Sequence, residues 1–329
     1  MTAMIRDALR DASRPTDESD DDELEAAPRS SSEMVEPIET GRLQPEHPLS
    51  KITERTGRDP ALLARWVAAI ERKGQAVLVG PPGAGKSFLA HQLARHIVGG
   101  GDGFVQRLAL HPGTSYEDFV QGYRPTLRKD GTTHWPLTRG RFYLFVEKAL
   151  QRRGPCVLIL EEMQRADVGT VLGELVHLLE ARDEPMPLAS GDMPFVLPSN
   201  VRILGTMSQA DQRTGAAHHD PRRPSPDHVL RRRFAWLRVT PDPETLRRYH
   251  ARTGFPVDGL ITVIARVDSL IRDPDRALGL SYFLRDDLAE TIEDVWRFEV
   301  EPMLESLLVD RPADAARLRW DAVRHRILG

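Results

Sequence analysis

Eight consecutive residues, Gly80-Pro81-Pro82-Gly83-Ala84-Gly85-Lys86-Ser87, carry the clearest chemistry in this chain. The glycines let backbone N–H groups turn inward around a run of phosphates, where a Cβ would obstruct them. Lys86 supplies a cation for the outer phosphates, and Ser87 a hydroxyl for Mg²⁺. Phe88 continues into a helical pattern whose positive end would face the anion. Further along, Val157-Leu158-Ile159-Leu160 ends in two acids, Glu161 and Glu162. A nucleotidase needs one carboxylate to hold Mg²⁺ through its water shell and another to orient or deprotonate the attacking water. Adjacent residues leaving a strand end in different directions can divide these roles, with Glu161 on the metal and Glu162 on the water.

These residues need a scaffold, and the chain is long enough to build one. At 329 residues it suggests about two domains, and 40% hydrophobic residues plus 24 glycines give an ordinary globular composition. Ala76–Val79, Phe104–Leu110, Cys156–Leu160, Val201–Met207 and Phe234–Val239 read as buried strands. Helical patterns at 86–97, 142–152, 168–181 and 225–232 lie between several of them, which predicts a parallel sheet covered on both faces. Ordered structure is expected from near Pro60, where Leu62, Leu63, Trp66, Val67 and Ile70 recur at helical spacing behind Asp59-Pro60. After Pro241 the strands stop, and 243–251, 257–273, 282–297 and 299–325 read as helices. The expected organisation is therefore a disordered acidic leader over 1–48, an α/β domain over 49–241 and a small helical domain over 242–329. Asp130-Gly131 marks a turn between the polar arms of Thr126–Trp135, an exposed hairpin.

Composition also excludes. Cys156 is the single cysteine, so no internal disulfide or cysteine zinc cluster forms, and a reducing cytoplasmic setting is expected. No apolar run approaches the ~18 residues of a membrane helix, and the acidic N-terminus is unlike a signal peptide. Residues 1–50 carry 13 acids and 5 bases within a chain of net charge −4, which does not suggest a surface coated for nucleic acid. His218-His219-Asp220 lacks a partner pair at helical spacing and is read as part of a flexible insertion, with Arg222 and Arg223, rather than a metal site.

Five further segments point to a family. They are Tyr116–Val120 with Gly122-Tyr123-Arg124-Pro125, Glu161-Glu162-Met163-Gln164-Arg165-Ala166-Asp167, Gly205-Thr206-Met207-Ser208-Gln209-Ala210-Asp211, Arg231-Arg232-Arg233-Phe234 and Gly279-Leu280-Ser281-Tyr282-Phe283. With the phosphate loop they resemble AAA+ NTPases and, more narrowly, McrB-like proteins, the nucleotide-driven subunits of modification-dependent restriction systems. The resemblance spans about residues 58–310. It implies an α/β phosphate-loop AAA+ domain followed by a helical lid, assembled as a homo-oligomeric, hexameric ring with nucleotide between subunits. It further implies that Ser208 and Asp211 belong to the catalytic strand end, and that Arg232 and Arg233 are candidates for an arginine finger supplied to the neighbour. ATP, with GTP as the alternative, and Mg²⁺ are the implied cofactors. The implied partner is a protein effector such as a nuclease subunit in a bacterial defence-type system, with DNA contact indirect and no membrane. McrB-like proteins commonly carry an N-terminal DNA-reading domain; the acidic leader stands there instead, so the expectation is that target recognition comes from another chain or does not involve DNA.

Three positions depart from the family pattern: Ser208 for a water-positioning Asn, Gln212 for a frequent Arg, and Glu161 for Asp. They lead to an expectation of tight nucleotide binding with modest hydrolysis. Two other readings stand beside the motor: a MoxR-like chaperone ATPase, and a nucleotide-gated assembly switch with little turnover.

Overall fold

Alternation along the first strand explains how the sheet is covered. Val77 and Val79 join one apolar cluster with Leu158, Ile203, Phe142, Phe145 and Phe195. Ala76 and Leu78 join another with Ile159, Leu204, Leu63, Leu89 and Leu93. Successive side chains point to opposite faces of a strand, so a strand apolar at every position must be buried on both. The computed structural model describes residues 43–191, 193–208 and 226–329, and Gln44–Gly329 form one unit.

The strands in chain order are β1 (Gln75–Gly80), β2 (Val105–Ala109), β3 (Gln121–Tyr123), β4 (Thr126–Leu127), β5 (Thr133–His134), β6 (Leu137–Arg139), β7 (Cys156–Glu161), β8 (Pro185–Met186), β9 (Phe195–Val196), β10 (Val201–Ser208) and β11 (Ala235–Arg238). Five of them form one parallel sheet in the order β11-β1-β10-β7-β2. Because all five run the same way, β1, β7 and β10 deliver their carboxyl ends to one edge of the sheet. Gly80 pairs with Ser208, and Ala109 with Glu161. The phosphate loop, the two acids and the polar end of β10 meet there for that reason.

The helix after the loop runs Lys86–Val98 and buries Leu89, Leu93 and Ile97 against the sheet. Pro60–Lys73 is also helical, started by Asp59, whose carboxylate accepts from Ala61 N, with Pro60 in the first turn. Ordered structure begins earlier than Pro60: Leu49–Thr56 is a helix burying Ile52 and Thr56. Its eight residues are mostly polar, with Leu49 and Ile52 the only large apolar side chains to mark it. The single helix expected over 168–181 is divided into Val168–Leu172 and Leu175–Leu178, because Gly173 takes φ 50°. That break lets the Glu174 carboxylate accept from the Tyr116 hydroxyl (2.5 Å) and the Ala189 amide (2.8 Å). Burial first, then Glu174, pushes the Tyr116 hydroxyl well above its usual pKa.

Beyond β11 the described residues are helical around a third cluster, with Leu260, Val263, Phe283, Trp296 and Trp320 at its centre. Pro243–His250 and Val257–Ile271 lie close to expectation. The helix expected over 282–297 starts only at Leu288, after a 3₁₀ turn at Leu280–Phe283, and continues as a π-helical stretch over Trp296–Val300. The long helix expected over 299–325 is three pieces, Glu301–Leu307, Pro312–Ala316 and Trp320–Ile327. Pro312 sits at the first turn of the second piece, where a missing N–H costs nothing. The breaks bring Trp320 back to the core, and Trp296 Nε1 donates to Leu318 O at 2.8 Å.

The expected hairpin at 126–135 is the tip of a longer ribbon. β3 pairs with β6 and β4 with β5 in one continuous antiparallel register, with Arg124 N donating to Pro136 O between them.

Candidate functional site: a phosphate loop under the helical lid

Gly83 and Gly85 have φ of +70° and +81°, so the loop at the end of β1 takes the left-handed backbone that its glycines permit. Lys86 is buried at the start of its helix, and its Nζ donates to the carbonyls of Gly80 (3.0 Å) and Pro81 (2.8 Å). The ammonium is thus held directly over the loop whose amides would cradle a phosphate. Gly80, Pro81 and Ala84 are buried, whereas Pro82 and Phe88 are exposed.

The two acids diverge as their positions predict. Glu161, the last residue of β7, is buried, and its Oε2 accepts from Ser87 Oγ (2.6 Å) and Thr206 Oγ1 (2.7 Å). Its Oε1 accepts from an Arg107 guanidinium nitrogen at 3.0 Å. Glu162 follows with φ 56° and ψ 44°, a conformation that a non-glycine residue adopts only at a cost of about 1 kcal/mol or more. The turn aims it away from Glu161. Its Oε2 accepts from Gln164 Nε2 (2.6 Å), while Gln164 Oε1 accepts from Ser208 N (3.1 Å). Thr206 completes the link, since its Oγ1 accepts from Glu162 N at 3.1 Å. Ser208 Oγ is buried with no hydrogen-bond partner among the described residues.

A cleft of about 420 Å³ is lined by Pro82, Gly83, Gly85, Lys86, Ser87, Phe88, Glu162, Ser208 and the lid residue Ser281. Loop, catalytic-acid candidate and strand end therefore face one space. A second cavity of about 510 Å³ continues past Gly85 and Ser281 to Arg55, Phe88, Tyr249, Arg252 and Asp286. The Arg55 guanidinium lies over the Phe88 ring, 5.1 Å from its centroid. This apolar and charged recess adjoins the loop, where a nucleobase would lie.

The lid touches the loop itself. Ser281 N donates to Gly83 O at 2.9 Å, and a Cβ on Gly279 would lie 2.1 Å from the Gly83 carbonyl carbon. Only glycine admits that approach. His250 supports the segment from behind, with Nε2 against Phe283 O at 2.7 Å, and burial holds its pKa below 6.5. His91, one turn along from Ser87, is likewise held below 6.5, first by burial and then by the Arg107 cation.

Arg232 and Arg233 are elsewhere. Pro226–Arg233 is helical, and Gln75 Nε2 donates to Arg233 O at 2.7 Å. Gln75 begins β1 and Gly80 ends it, so the two arginines lie at the opposite end of that strand from the phosphate loop. Neither lines the 420 Å³ cleft of its own chain. Asp211 and Gln212, with the His218-His219-Asp220 cluster, lie outside the described residues.

Two family matches agree with this geometry. The AAA domain (dynein-related subfamily) matches residues 75–234, and the McrB alpha-helical lid domain matches residues 259–316. The chain belongs to the McrB-like AAA+ NTPases. It is 30% identical over 271 residues to the Type IV methyl-directed restriction enzyme EcoKMcrB subunit of Escherichia coli (strain K12), covering 73% of this chain and 55% of that one. It is 26% identical over 174 residues to the Type II restriction enzyme BsuMI component YdiS of Bacillus subtilis (strain 168), covering 41% of this chain and 51% of that one. The chain thus spans about half the length of the curated relatives it matches. As an AAA+ domain it binds nucleotide. No helix among the described residues is long and apolar enough to cross a membrane.

Four residues that bond the two acids or line the cleft drew no role of their own from the sequence: Arg107, Gln164, Thr206 and Ser281. Gln164, Thr206 and Ser281 lie inside the recognised motifs, so position within the motif was an available signal. Arg107 lies outside them, and nothing in its sequence context marks it.

Proposed function

We propose that this chain is a Mg²⁺-dependent nucleoside triphosphatase, using ATP with GTP as the alternative base. It would work in the cytoplasm as a homo-oligomeric ring of six that remodels or activates a protein effector such as a nuclease subunit. The observation that carries the chemistry is the hydrogen-bonded set Ser87–Glu161–Thr206–Glu162–Gln164–Ser208, of which Ser87, Glu162 and Ser208 line the phosphate-loop cleft. A serine hydroxyl 2.6 Å from a carboxylate oxygen is a hard-oxygen donor pair that fits Mg²⁺.

Lys86 would exchange the Gly80 and Pro81 carbonyls for the outer phosphates. Ser87 and Glu161 would hold Mg²⁺, whose charge neutralises the phosphate oxygens. Glu162 accepts a proton from, or orients, the attacking water, while Gln164 holds the Glu162 carboxylate and the Ser208 amide in fixed relation. The unpartnered Ser208 hydroxyl is free to bond that water or the terminal phosphate in place of an Asn. Asp211 is assigned to the same strand end from its motif alone. Arg232 or Arg233 would reach the nucleotide of a neighbouring chain, since both stand at the far end of β1 from their own loop. A guanidinium supplied across an interface makes turnover depend on assembly.

Of the other readings, the MoxR-like chaperone is disfavoured by the McrB lid match. The assembly switch keeps one observation in its favour, the hold of Gln164 on Glu162. The deciding experiment measures ATP and GTP hydrolysis side by side over a range of protein concentrations, with Glu162→Gln as control. Turnover that rises with concentration and is lost in the mutant supports the motor; tight binding with no turnover, alone or with an effector, supports the switch.

A further inference from the structure

We infer that Arg107 sets the magnesium demand of this site, as a resident guanidinium on the carboxylate that would hold the metal. The inference rests on the nucleotide reading above and deepens it. Both oxygens of Glu161 are occupied. Oε2 accepts from Ser87 and Thr206, neutral hydroxyls that keep lone pairs for a cation. Oε1 accepts from Arg107, which brings a full positive charge to 3.0 Å.

The charge balance shows the consequence. With Arg107 present, the ionic side chains gathered at the site, Lys86, Arg107, Glu161 and Glu162, cancel. Without it one negative charge is left over. Affinity of an oxygen site for a divalent cation follows the charge of its ligands. For a metal to draw on the Glu161 charge, the Arg107 guanidinium must be released from Oε1. Release has to come from movement, and the location permits it. Arg107 sits on β2, the edge strand of the sheet, with its side chain 56% exposed. Among the described residues its guanidinium bonds to Glu161 alone. Nothing in the core depends on it, unlike Thr206, which is fully buried. Arg107 is therefore a positioning residue: it holds the long Glu161 side chain while the metal is absent and competes with the metal for its charge.

The test uses the full chain and fluorescent N-methylanthraniloyl derivatives of ATP and GTP, with binding followed by anisotropy as Mg²⁺ is titrated. Arg107→Gln is expected to lower the Mg²⁺ concentration at half-saturation by about fivefold, the scale of an exposed ion pair. Arg107→Lys keeps the charge and is expected to stay within about twofold of wild type. Arg107→Thr, which suits an edge strand, is a second neutral variant and should repeat the Gln result. Raising NaCl from about 0.05 to 0.5 M should narrow the gap, because screening weakens an exposed pair. An unchanged or raised Mg²⁺ demand in both neutral variants overturns the inference, as does a Lys variant that behaves like Gln. Wild-type binding that depends on Mg²⁺ without any variant shift defeats this inference and spares the nucleotide reading. Wild type that binds neither nucleotide at any Mg²⁺ concentration defeats both.

Discussion

The two ends of strand β1 are both crowded with polar groups, yet they are built in opposite ways. At the Gly80 end the groups are poised: Lys86 sits on carbonyls it can leave, Glu162 is held in a left-handed turn, and Ser208 Oγ has no partner among the described residues. At the Gln75 end they are bonded inward. Arg182 is half-buried, donates to Gln75 Oε1 (2.7 Å) and Val201 O (3.1 Å), and has its pKa lowered to about 10 by desolvation. Gln75 passes the connection to Arg233 O, and Glu180 lies 3.4 Å from Arg233 Nε and 3.8 Å from Arg232 Nε. One end holds its unpartnered hydroxyl beside a cleft; the other turns most of its hydrogen bonds inward onto a helix end, although Arg182 Nε has no partner among the described residues. Arg232, whose side chain is 86% exposed, is the exception at the second end, presented outward on that helix end.

The comparison breaks most easily at the poised end. Glu162→Gln is expected to lower turnover by about 10²–10⁴-fold, the usual worth of a general base, with nucleotide affinity within about threefold. Single-turnover hydrolysis and equilibrium binding on one preparation would check both halves. An equal loss of binding and rate would mean that Glu162 holds the loop together instead of acting on water.

At the other end, Arg232→Ala is expected to cut turnover of the assembled protein by at least about 10²-fold, since a finger arginine is worth about 10³–10⁵. Stability should change by no more than about 0.5 kcal/mol, given the exposure of the side chain. Mixing this variant with Lys86→Ala should restore activity, because each supplies the half-site that the other lacks. If mixing restores nothing, the finger assignment fails.

Arg182→Met separates mounting from chemistry. Loss of the guanidinium leaves Gln75 Oε1 buried without its donor, whereas Val201 O keeps Arg202 and Pro198 O keeps Val201 N, and is expected to cost about 1–3 kcal/mol in urea unfolding. A neutral result would show that the Gln75 end is not held by these bonds.

The smallest effect is a pH dependence confined to the poised end. His91 and His250 have native pKa values depressed below 6.5, so between those values and 6.5 the unfolded chain binds more protons than the native one. Stability is therefore whole above about pH 6.5 and falls as pH drops through the depressed values. Hydrogen exchange at pH 7.5 and 5.5 should show the loss at the Leu280–Phe283 segment and the loop-following helix. The Gln75 end, which holds neither histidine, should be unaffected. Uniform loosening would remove this distinction.

Legibility followed the range of the interactions. The phosphate loop, the paired acids and the sheet strands were readable because each is a local pattern: positive-φ glycines before a lysine, and apolar runs long enough to be buried strands. The helix Leu49–Thr56 was missed because its burial of Ile52 comes from partners that its own eight residues do not announce. The three-part end of the lid was read as one helix because apolar residues continue through it, while Pro312 and the return of Trp320 to the Phe283–Trp296 core are effects of packing.

By itself the sequence determined which chemistry is available: a backbone cradle for phosphate, a lysine, a hydroxyl, two carboxylates and a covered parallel sheet to carry them. Tertiary structure alone decided which groups meet. Parallel pairing set Ser208 beside Gly80 and brought Glu161 within reach of both Ser87 and Arg107, residues far apart in the chain. It also sent Arg232 to the far end of β1, out of reach of its own loop. The reason is physical: residue types and backbone preferences are local properties, whereas hydrogen bonds and ion pairs act over a few ångströms and take effect only once the sheet has closed those distances.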